Sequence, residues 1–263
     1  MPQYEAIDWY DTPRYYDLIF DEDTTREADF IEAALARYGT LQRKGKRILE
    51  PACGSGRCLT ELARRGYGVS GFDASQPMLD FAAERLRAAG CKANLRQGQL
   101  EEFRYAKPFH LAHCLVSTFK YVLDGAGAVS SLRCVAESLL PGGLFLLGVH
   151  LTDYSVEQRQ RERWVVRKGG LEVTSNTQTW PAQRRKRAER VRNRLKVVER
   201  GVERRTETNW HFRTYNAAEL RALVRQVPAF EVVAVHDFHY DIEWTGSLRD
   251  DASDVLLVLR KRG

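Results

Sequence analysis

The stretch Leu49-Glu50-Pro51-Ala52-Cys53-Gly54-Ser55-Gly56-Arg57 decides how this chain folds. It follows a short apolar run at 47–49 and precedes a segment with helical periodicity at 58–65, so it predicts a turn between a strand and a helix. Gly54 and Gly56 give the turn backbone conformations closed to other residues and let it approach a ligand closely. The helix behind the turn begins with free N–H groups and a partial positive charge. We therefore predict a binding turn here.

The same alternation of strand and helix continues beyond this turn. Apolar runs predict strands, and helical spacing predicts helices, of which the one at 129–140 should stop at Pro141-Gly142-Gly143. The expected core strands lie at 47–49, 68–72, 93–95, 109–116, 144–149, 231–235 and 254–259, and the expected helices at 29–38, 58–65, 78–89, 129–140 and 217–225. Repeated units of this length predict a Rossmann-like, doubly wound α/β fold with a mostly parallel seven-stranded sheet.

The pattern changes after residue 150, where polar and apolar residues alternate without an intervening helix. The extended segments at 164–166, 171–180, 190–198 and 204–215 predict an antiparallel β insertion after the fifth strand. Asn216 then stands where the N-cap of the next helix is expected. We expect an N-terminal arm and helix covering the site at 1–40, a core at 41–154, the insertion at 155–215 and the end of the core at 216–263.

Composition excludes several classes of protein. With 263 residues, 43% hydrophobic and 29% charged, the chain has ordinary globular composition. Its longest nearly apolar stretch, 142–149, is far shorter than the ~20 residues of a membrane helix. The first five residues carry no basic and apolar signal pattern, and the odd number of cysteines, five, argues against a disulfide framework. These features predict a cytoplasmic protein with no membrane association.

The positive charge is concentrated in one stretch. The formal charge is +6, but 184–205 alone holds eleven Lys and Arg against three Glu, so the rest of the chain is slightly negative. Alternation of basic and mostly apolar residues at 190–197 favours a half-buried strand with one wet, basic face. Such a patch could also attract phosphates, although the run contains no aromatic residue for base stacking. Nucleic-acid binding is therefore disfavoured but left open.

Two acidic positions indicate the kind of ligand. Leu59 stands where a dinucleotide-binding turn would have its third glycine, and a carboxylate at Glu50 would repel pyrophosphate. Glu50 suits a cationic ammonium instead. Asp73 follows Gly56 by 17 residues at the predicted tip of the second strand, next to the first turn, where a carboxylate can accept from both ribose hydroxyls. An ammonium acceptor and a ribose acceptor together favour S-adenosylmethionine over NAD.

These motifs resemble those of a known family. The segment 50–57, the run Gly71-Phe72-Asp73-Ala74-Ser75-Gln76-Pro77-Met78-Leu79 and the turn Leu140-Pro141-Gly142-Gly143 occur in order. Together they resemble the class I S-adenosylmethionine-dependent methyltransferases, in particular a bacterial small-molecule branch whose first motif reads E-P-x-C/G-G-x-G-R. The resemblance implies methyl transfer to an N or O atom of a small molecule. It implies S-adenosylmethionine as cofactor, S-adenosylhomocysteine as product and no metal.

The resemblance also implies roles for individual residues. Glu50 would contact the methionine ammonium, Arg57 would help hold the carboxylate, and Asp73 would hold the ribose. Gln99 stands where the family usually has Asp, and its amide oxygen can still accept from the adenine amino group. The remaining expected cofactor-binding residues are Ala52, Gly54 and Gly56 beside the methionine part, Ala74 and Met78 near the ribose and adenine, Gly98 and Leu100 beside Gln99, and Cys114 and Leu115 at the fourth strand.

The acceptor pocket is less determined. Methyl transfer is an in-line displacement that mainly requires positioning and exclusion of water. His150 and Tyr16 are the candidate catalytic residues. Further candidates for lining the pocket are Tyr10, Tyr15, Ser117, Tyr121, Tyr154, His211, Arg213, Tyr215, Asp237 and His239. A nucleic-acid methyltransferase that uses 184–205 and a non-catalytic protein that binds the cofactor remain alternatives, as do a monomer and a homodimer.

Overall fold

The computed structural model describes residues 3–20, 23–41 and 46–263, so Met1, Pro2 and the arm and linker residues 21–22 and 42–45 named above lie outside the described residues. The strands and helices follow in chain order. They are β1 (Glu5–Ala6), α1 (Pro13–Phe20), α2 (Thr24–Tyr38), β2 (Arg47–Pro51), α3 (Arg57–Arg64), β3 (Gly68–Asp73), α4 (Gln76–Ala88), β4 (Ala93–Gln97), β5 (Phe109–Cys114), α5 (Gly125–Ser138), β6 (Leu139–His150), β7 (Gln160–Lys168), β8 (Leu171–Thr179), β9 (Ala188–Glu199), β10 (Val202–Arg213), α6 (Ala217–Arg225), β11 (Phe230–His236) and β12 (Asp254–Lys261).

Seven strands form the core sheet, in the order β11-β12-β6-β5-β2-β3-β4. Strands β4, β3, β2, β5 and β6 are parallel, while β12 runs antiparallel to β6 and to β11. The strand order reverses between β2 and β5, which opens a crevice beyond their carboxyl ends. The predicted fold class is confirmed, including the antiparallel insertion after the fifth core strand.

Local capping explains where two helices begin. Asn216 and Glu219 form a capping box at the start of α6, as the sequence predicts for Asn216. The Ser75 side chain accepts from the Met78 N–H at the start of α4. Helix α2 begins five residues earlier than the predicted 29, and β6 begins at Leu139 rather than at 144. Both elements are extended by tertiary packing that periodicity does not record.

A second sheet follows the order β1-β10-β9-β8-β7. Its strands β7 to β10 are the predicted insertion. Its edge strand β1 belongs to the N-terminal arm and pairs in parallel with β10, Glu5 opposite Thr206, which the sequence did not predict. Trp9 stacks on Trp210 with ring centroids 5.1 Å apart, so the arm is attached to the insertion by both backbone and side chains.

The basic face of β9 is as predicted. Val191, Leu195 and Val197 are buried, whereas Arg194 and Lys196 alternate with them on the other face. Their charges are paired across the sheet: the ion pairs are Arg194–Glu207 at 2.6 Å and Lys196–Glu203 at 3.2 Å. Within the described residues, no helix has the length and apolar character needed to cross a membrane.

Candidate active site

The turn between β2 and α3 has a left-handed backbone at three positions. Ala52, Gly54 and Gly56 have φ of 54°, 52° and 70°. A Cβ on Gly56 would lie 2.7 Å from the Ala82 Cβ, because α3 and α4 pack closely there, whereas a Cβ on Gly54 would meet nothing within 4 Å. Gly56 is therefore required by helix packing, and Gly54 faces open space where a ligand can approach the backbone.

Asp73 is fixed by the backbone of two turns. Its Oδ2 accepts from the Gly54 N–H at 2.8 Å and its Oδ1 from the Ser75 N–H at 2.9 Å. Burial raises the pKa of Asp73, and hydrogen bonds from the backbone at Ser75, Gly54 and Ala74 oppose that rise. Each carboxylate oxygen keeps a lone pair, so the group is held in place and can still accept from a ligand hydroxyl.

Glu50 lies at the end of β2 without a partner for one of its oxygens. Its Oε2 is buried and makes no hydrogen bond to any of the described residues. Burial raises its pKa to about 8, and the nearby carboxylates Glu27 and Asp73 add to that rise against the opposing effect of Arg57. A buried acceptor with no donor costs free energy unless a ligand supplies one, so this oxygen fits a cationic donor.

Arg57 is engaged by a residue that sequence reasoning missed. Glu27 on α2, only 2% exposed, accepts from the Arg57 guanidinium at 2.7 Å and from the Cys58 thiol at 2.9 Å. Arg57 also donates to the Thr24 hydroxyl at 3.1 Å. The predicted helix began at residue 29, so it contained no signal for Glu27. The expected role of Arg57 toward a ligand carboxylate stays a prediction, since the guanidinium is already paired.

The crevice therefore has an excess of negative charge. Glu50, Glu27 and Asp73 influence one another, and the cation that acts on the Glu50 pKa is Arg57, which Glu27 neutralises. A low-dielectric crevice with this balance favours a positively charged ligand. The residues present thus fit S-adenosylmethionine, which carries both an ammonium and a sulfonium.

The adenine-side segment lies along the same edge of the sheet. The Gly98 N–H donates to the Asp73 carbonyl at 3.0 Å, which ties this segment to the tip of β3. Gln99 is exposed and Leu100 packs against the core. Ala74 is exposed, whereas Met78 is fully buried. The contacts of these residues with a ligand stay predictions.

The end of β5 has an unusual backbone. Cys114 and Leu115 are buried, and the next two residues, Val116 and Ser117, have φ of 55° and 65°. A β-branched residue with positive φ is a genuine outlier, and such strain persists only where the surrounding structure enforces it. No local sequence pattern predicts this distortion, which directs the chain from the core sheet along the edge of a large cavity.

That cavity, of about 910 Å³, lies between the carboxyl ends of the core strands, the arm and the insertion sheet. Both candidate catalytic residues, Tyr16 and His150, line it. Arg57, Val116 and Ser117 also line it, so the cavity extends to the crevice. Burial raises the pKa of Tyr16 to about 12, an effect that Arg57 opposes and Asp73 increases. Tyr16 therefore keeps its proton at neutral pH.

His150 is paired with a residue from the last core strand. Its Nδ1 is hydrogen-bonded to the Asp254 carboxylate, and the two residues face each other in the β6–β12 ladder. The Ser117 hydroxyl accepts from the His150 backbone N–H at 2.6 Å, and the Phe238 ring packs 4.9 Å from the imidazole. Asp254 was missed because 104 residues separate it from its partner.

Of the other residues predicted to line the acceptor pocket, some line the cavity and others lie elsewhere. Tyr10 and Tyr121 line the cavity, and their hydroxyls are 2.7 Å apart. Tyr215 was wrongly predicted as a pocket residue: it is 1% exposed and packs in the core. The Tyr154 hydroxyl is bonded to Thr214, and His211 is exposed on β10. No group of three or more His, Cys, Asp and Glu in the described ranges is arranged to hold a metal ion.

Comparison with known proteins agrees with this geometry. Residues 48–143 match the methyltransferase domain family. The chain is 29% identical to a Caulobacter ubiquinone biosynthesis O-methyltransferase over 54% of this chain and 58% of that one. It is also 29% identical to the dTDP-3-amino-3,4,6-trideoxy-alpha-D-glucopyranose N,N-dimethyltransferase of Streptomyces venezuelae, over 50% of this chain and 54% of that one.

The similarity in sequence is partial and the similarity in fold is nearly complete. The chain spans about half the length of the curated relatives it matches. An S-adenosylmethionine-dependent methyltransferase from Clostridium acetobutylicum superimposes with a TM-score of 0.77 at 17% identity, over 94% of this chain and 96% of that one. The chain therefore has the fold of an S-adenosylmethionine-dependent methyltransferase of known structure, and its residues 48–143, which include the Gly-rich turn, are similar in sequence to the methyltransferase domain family.

Proposed function

We propose that this protein transfers a methyl group from S-adenosylmethionine to an N or O atom of a small molecule. The observation that carries the proposal is the buried, unpartnered Glu50 Oε2 in a crevice with excess negative charge, next to an Asp73 carboxylate held by two backbone N–H groups. One of these acids suits an ammonium and the other a ribose. The two curated relatives described above are named for O- and N-methylation, which supports both acceptor classes.

The chain's own residues act mainly by binding and orientation. When bound, S-adenosylmethionine supplies an electrophilic methyl group on a positively charged sulfur. Glu50 would hold its ammonium, Asp73 its ribose hydroxyls, and Gly54 would let the backbone lie beside it. The adenine would lie beside 98–100 and Met78. The crevice needs no base to activate this donor, because the positive sulfur already makes the methyl group reactive.

The cavity is the proposed acceptor site. It borders the crevice, and its volume of about 910 Å³ lies within the usual range for small-molecule pockets. The arm, pinned where the Ser55 hydroxyl donates to Asp17 at 2.7 Å, would cover the donor and exclude water. Tyr16 would act as a neutral hydrogen-bonding hydroxyl and not as a base. We place the reaction in the cytoplasm.

Calorimetry with S-adenosylmethionine tests the donor site. Asp73→Ala should weaken binding at least about a hundredfold, because it removes a charged acceptor and frees the turn it orders. Asp80→Ala is the matched control: Asp80 is an exposed carboxylate on α4 that accepts from Gln76, and the variant should bind as the wild type does. Equal affinities of the wild type and Asp73→Ala would contradict the proposal.

Turnover separates an enzyme from a protein that only binds the donor. The wild type incubated with labelled S-adenosylmethionine and a pool of small amines, phenols and carboxylic acids should release S-adenosylhomocysteine above the background without acceptor. Binding of S-adenosylmethionine without release of S-adenosylhomocysteine in the presence of any acceptor pool would favour the non-catalytic alternative. Release of S-adenosylhomocysteine only in the presence of RNA would favour the nucleic-acid alternative.

A further inference from the structure

The pairing of His150 with Asp254 fixes which ring nitrogen faces the cavity. Burial raises the pKa of Asp254, but hydrogen bonds from His150 and Ser253 and the charges of His150 and His239 together outweigh it, so the net result is a lowered pKa. The carboxylate is therefore ionised at neutral pH and can only accept, so the proton of a neutral imidazole lies on Nδ1. Nε2 is left with its lone pair, on a side chain that is 48% exposed and lines the cavity.

The charged residues that line the cavity indicate the charge of the acceptor that it favours. Eight carboxylates line it, against Arg57 and Lys120. Both of these cations are already paired, Arg57 with Glu27 and Lys120 with Glu189 at 2.7 Å. Asp23 and Asp251 pair with arginines outside the lining, so the excess of carboxylates over cations among the described lining residues is smaller than eight to two, but it persists although the chain as a whole carries +6. Such a field concentrates cations and repels phosphates and carboxylates.

Aromatic rings give the cavity a second, independent preference. Trp9, Tyr16 and Trp210 line it, with the Trp9 ring 5.1 Å from each of the other two. Faces of tryptophan and tyrosine attract ammonium ions, most strongly where water is excluded. An alcohol or phenol would gain from the rings but not from the carboxylates.

We propose that the acceptor is an amine that enters as an ammonium ion, and that His150 removes its proton, with Asp254 as the positioning residue. The proposal rests on the proposed function, because it names the substrate class and the base of the same site. His150 would contact the acceptor nitrogen directly, and Asp254 would act through His150. Lys120 and Arg57 are poor candidates for the base, since both are ion-paired with carboxylates.

Methylation of the amine would be a proton transfer followed by a displacement. Nε2 takes one proton from the ammonium, which frees the nitrogen lone pair. That pair forms the new N–C bond while the C–S bond breaks and its electrons go to sulfur. The products are a methylated ammonium and the neutral thioether. The proton on His150 then passes to water through the exposed part of the ring.

The groups around His150 allow this exchange. Asp254 on β12 faces Nδ1, Ser117 contacts the backbone N–H, and Phe238 packs against the ring. His239 adds a charge effect on Asp254. Asp153 and Asp250 are the nearby carboxylates that line the same cavity.

A matched pair of probes tests the acceptor class without needing turnover. Benzylamine and benzyl alcohol have the same ring and differ in charge. On the enzyme saturated with S-adenosylhomocysteine, calorimetry at pH 7 should show benzylammonium binding about tenfold more tightly. Equal affinity, including no binding of either probe, would overturn the amine assignment.

Asp254→Asn tests the positioning role. Nitrogen-15 NMR of the neutral imidazole should show His150 protonated on Nδ1 in the wild type and a shift toward Nε2–H in the variant. With any turned-over amine, kcat should fall about a hundredfold with KM for the amine changed less than threefold, and Asp254→Glu should restore part of the loss. Asp80→Asn, at an exposed carboxylate on α4 that accepts from Gln76, is the control and should behave as the wild type.

The outcomes separate this inference from the proposed function. Failure to bind S-adenosylmethionine would refute both. Donor binding with methylation only of hydroxyls, or of no amine in the pool, would refute the inference alone. An unchanged tautomer or an unchanged kcat in Asp254→Asn would refute the role of Asp254.

Discussion

The core sheet and the insertion sheet differ in whether their ionisable side chains have partners. At the carboxyl edge of the core sheet, Glu50 has an oxygen without a partner, and His113 has two ring nitrogens without one. On the insertion sheet, by contrast, Arg194 and Lys196 pair with glutamates of the next strand. A buried polar atom without a hydrogen-bond partner is costly and can be satisfied by a ligand, whereas a cross-strand ion pair needs no further partner. The basic patch that dominates the sequence is therefore less informative than two isolated acids.

Glycine substitutions should show the largest difference between the sheets. Gly56→Ala forces a side chain into left-handed backbone and against Ala82, and we expect a loss of about 4 kcal/mol of stability from strain and overpacking, together with loss of donor binding. Gly201→Ala at the β9–β10 hairpin has φ of +79° but open space, so it should cost only about 1 kcal/mol. Urea unfolding measures both, and equal costs would contradict the packing argument.

Two lysine–glutamate pairs offer the next comparison. Lys120, 4% exposed, joins the core to Glu189 of the insertion, while Lys196 and Glu203 form an exposed pair. Lys120→Met leaves Glu189 half-enclosed without a partner and should cost about 3 kcal/mol. Lys196→Met should cost less than about 1 kcal/mol. Thermal unfolding at pH 7 tests this, and Lys120→Met/Glu189→Leu should recover most of the loss; no recovery would show that the lysine acts through packing alone.

Glu50 and Glu207 should respond to pH in opposite directions. The pKa of Glu50 is raised to about 8 by burial, so the folded protein without ligand holds its proton between pH 4.5 and 8 and loses stability as pH rises through that window. The pKa of Glu207 is lowered, chiefly by its hydrogen bond from Arg194, so its stabilising effect is lost as pH falls. Glu50→Gln should flatten the loss of stability toward pH 8, whereas Glu207→Gln should not.

The raised pKa of Glu50 also predicts that a proton is released when S-adenosylmethionine binds. An ammonium needs the ionised form of Glu50, so the wild type should release about one proton per S-adenosylmethionine bound at pH 7. Calorimetry in buffers of different ionisation enthalpy measures this release. Glu50→Gln should bind about thirtyfold more weakly, by about 2 kcal/mol, and release no proton. Proton release by the variant would show that another group is responsible.

Buried polar side chains should give the smallest effects, with opposite signs. His113 is fully buried without partners, and burial lowers its pKa to about 3, so the folded state loses stability as pH falls from about 6.5 toward 3. His113→Leu should gain about 1 kcal/mol at pH 7 and more at pH 5. Asn193 on β9 donates to Ser175 and Thr177, so Asn193→Leu should lose about 1 kcal/mol. Chemical denaturation of both variants at pH 7 and pH 5 measures these changes in stability.

Prediction from sequence succeeded where the signal is local. The Gly-rich turn, the cap at Asn216 and the alternation of β9 each depend on residues within a few positions of one another. Prediction failed where partners are distant. The pairing of β1 with β10, the contact of Glu27 with Arg57 and the burial of Tyr215 depend on which surfaces meet after folding.

The sequence by itself determined the core sheet, its Gly-rich turn and the two acids at its edge, because strand and helix periods and turn residues are encoded in neighbouring positions. Only the tertiary structure decided that Asp254 orients His150, that the arm joins the insertion sheet, and that carboxylates from separate elements surround one cavity. Strand register and sheet packing bring these groups together across more than a hundred residues, and no local pattern records that distance.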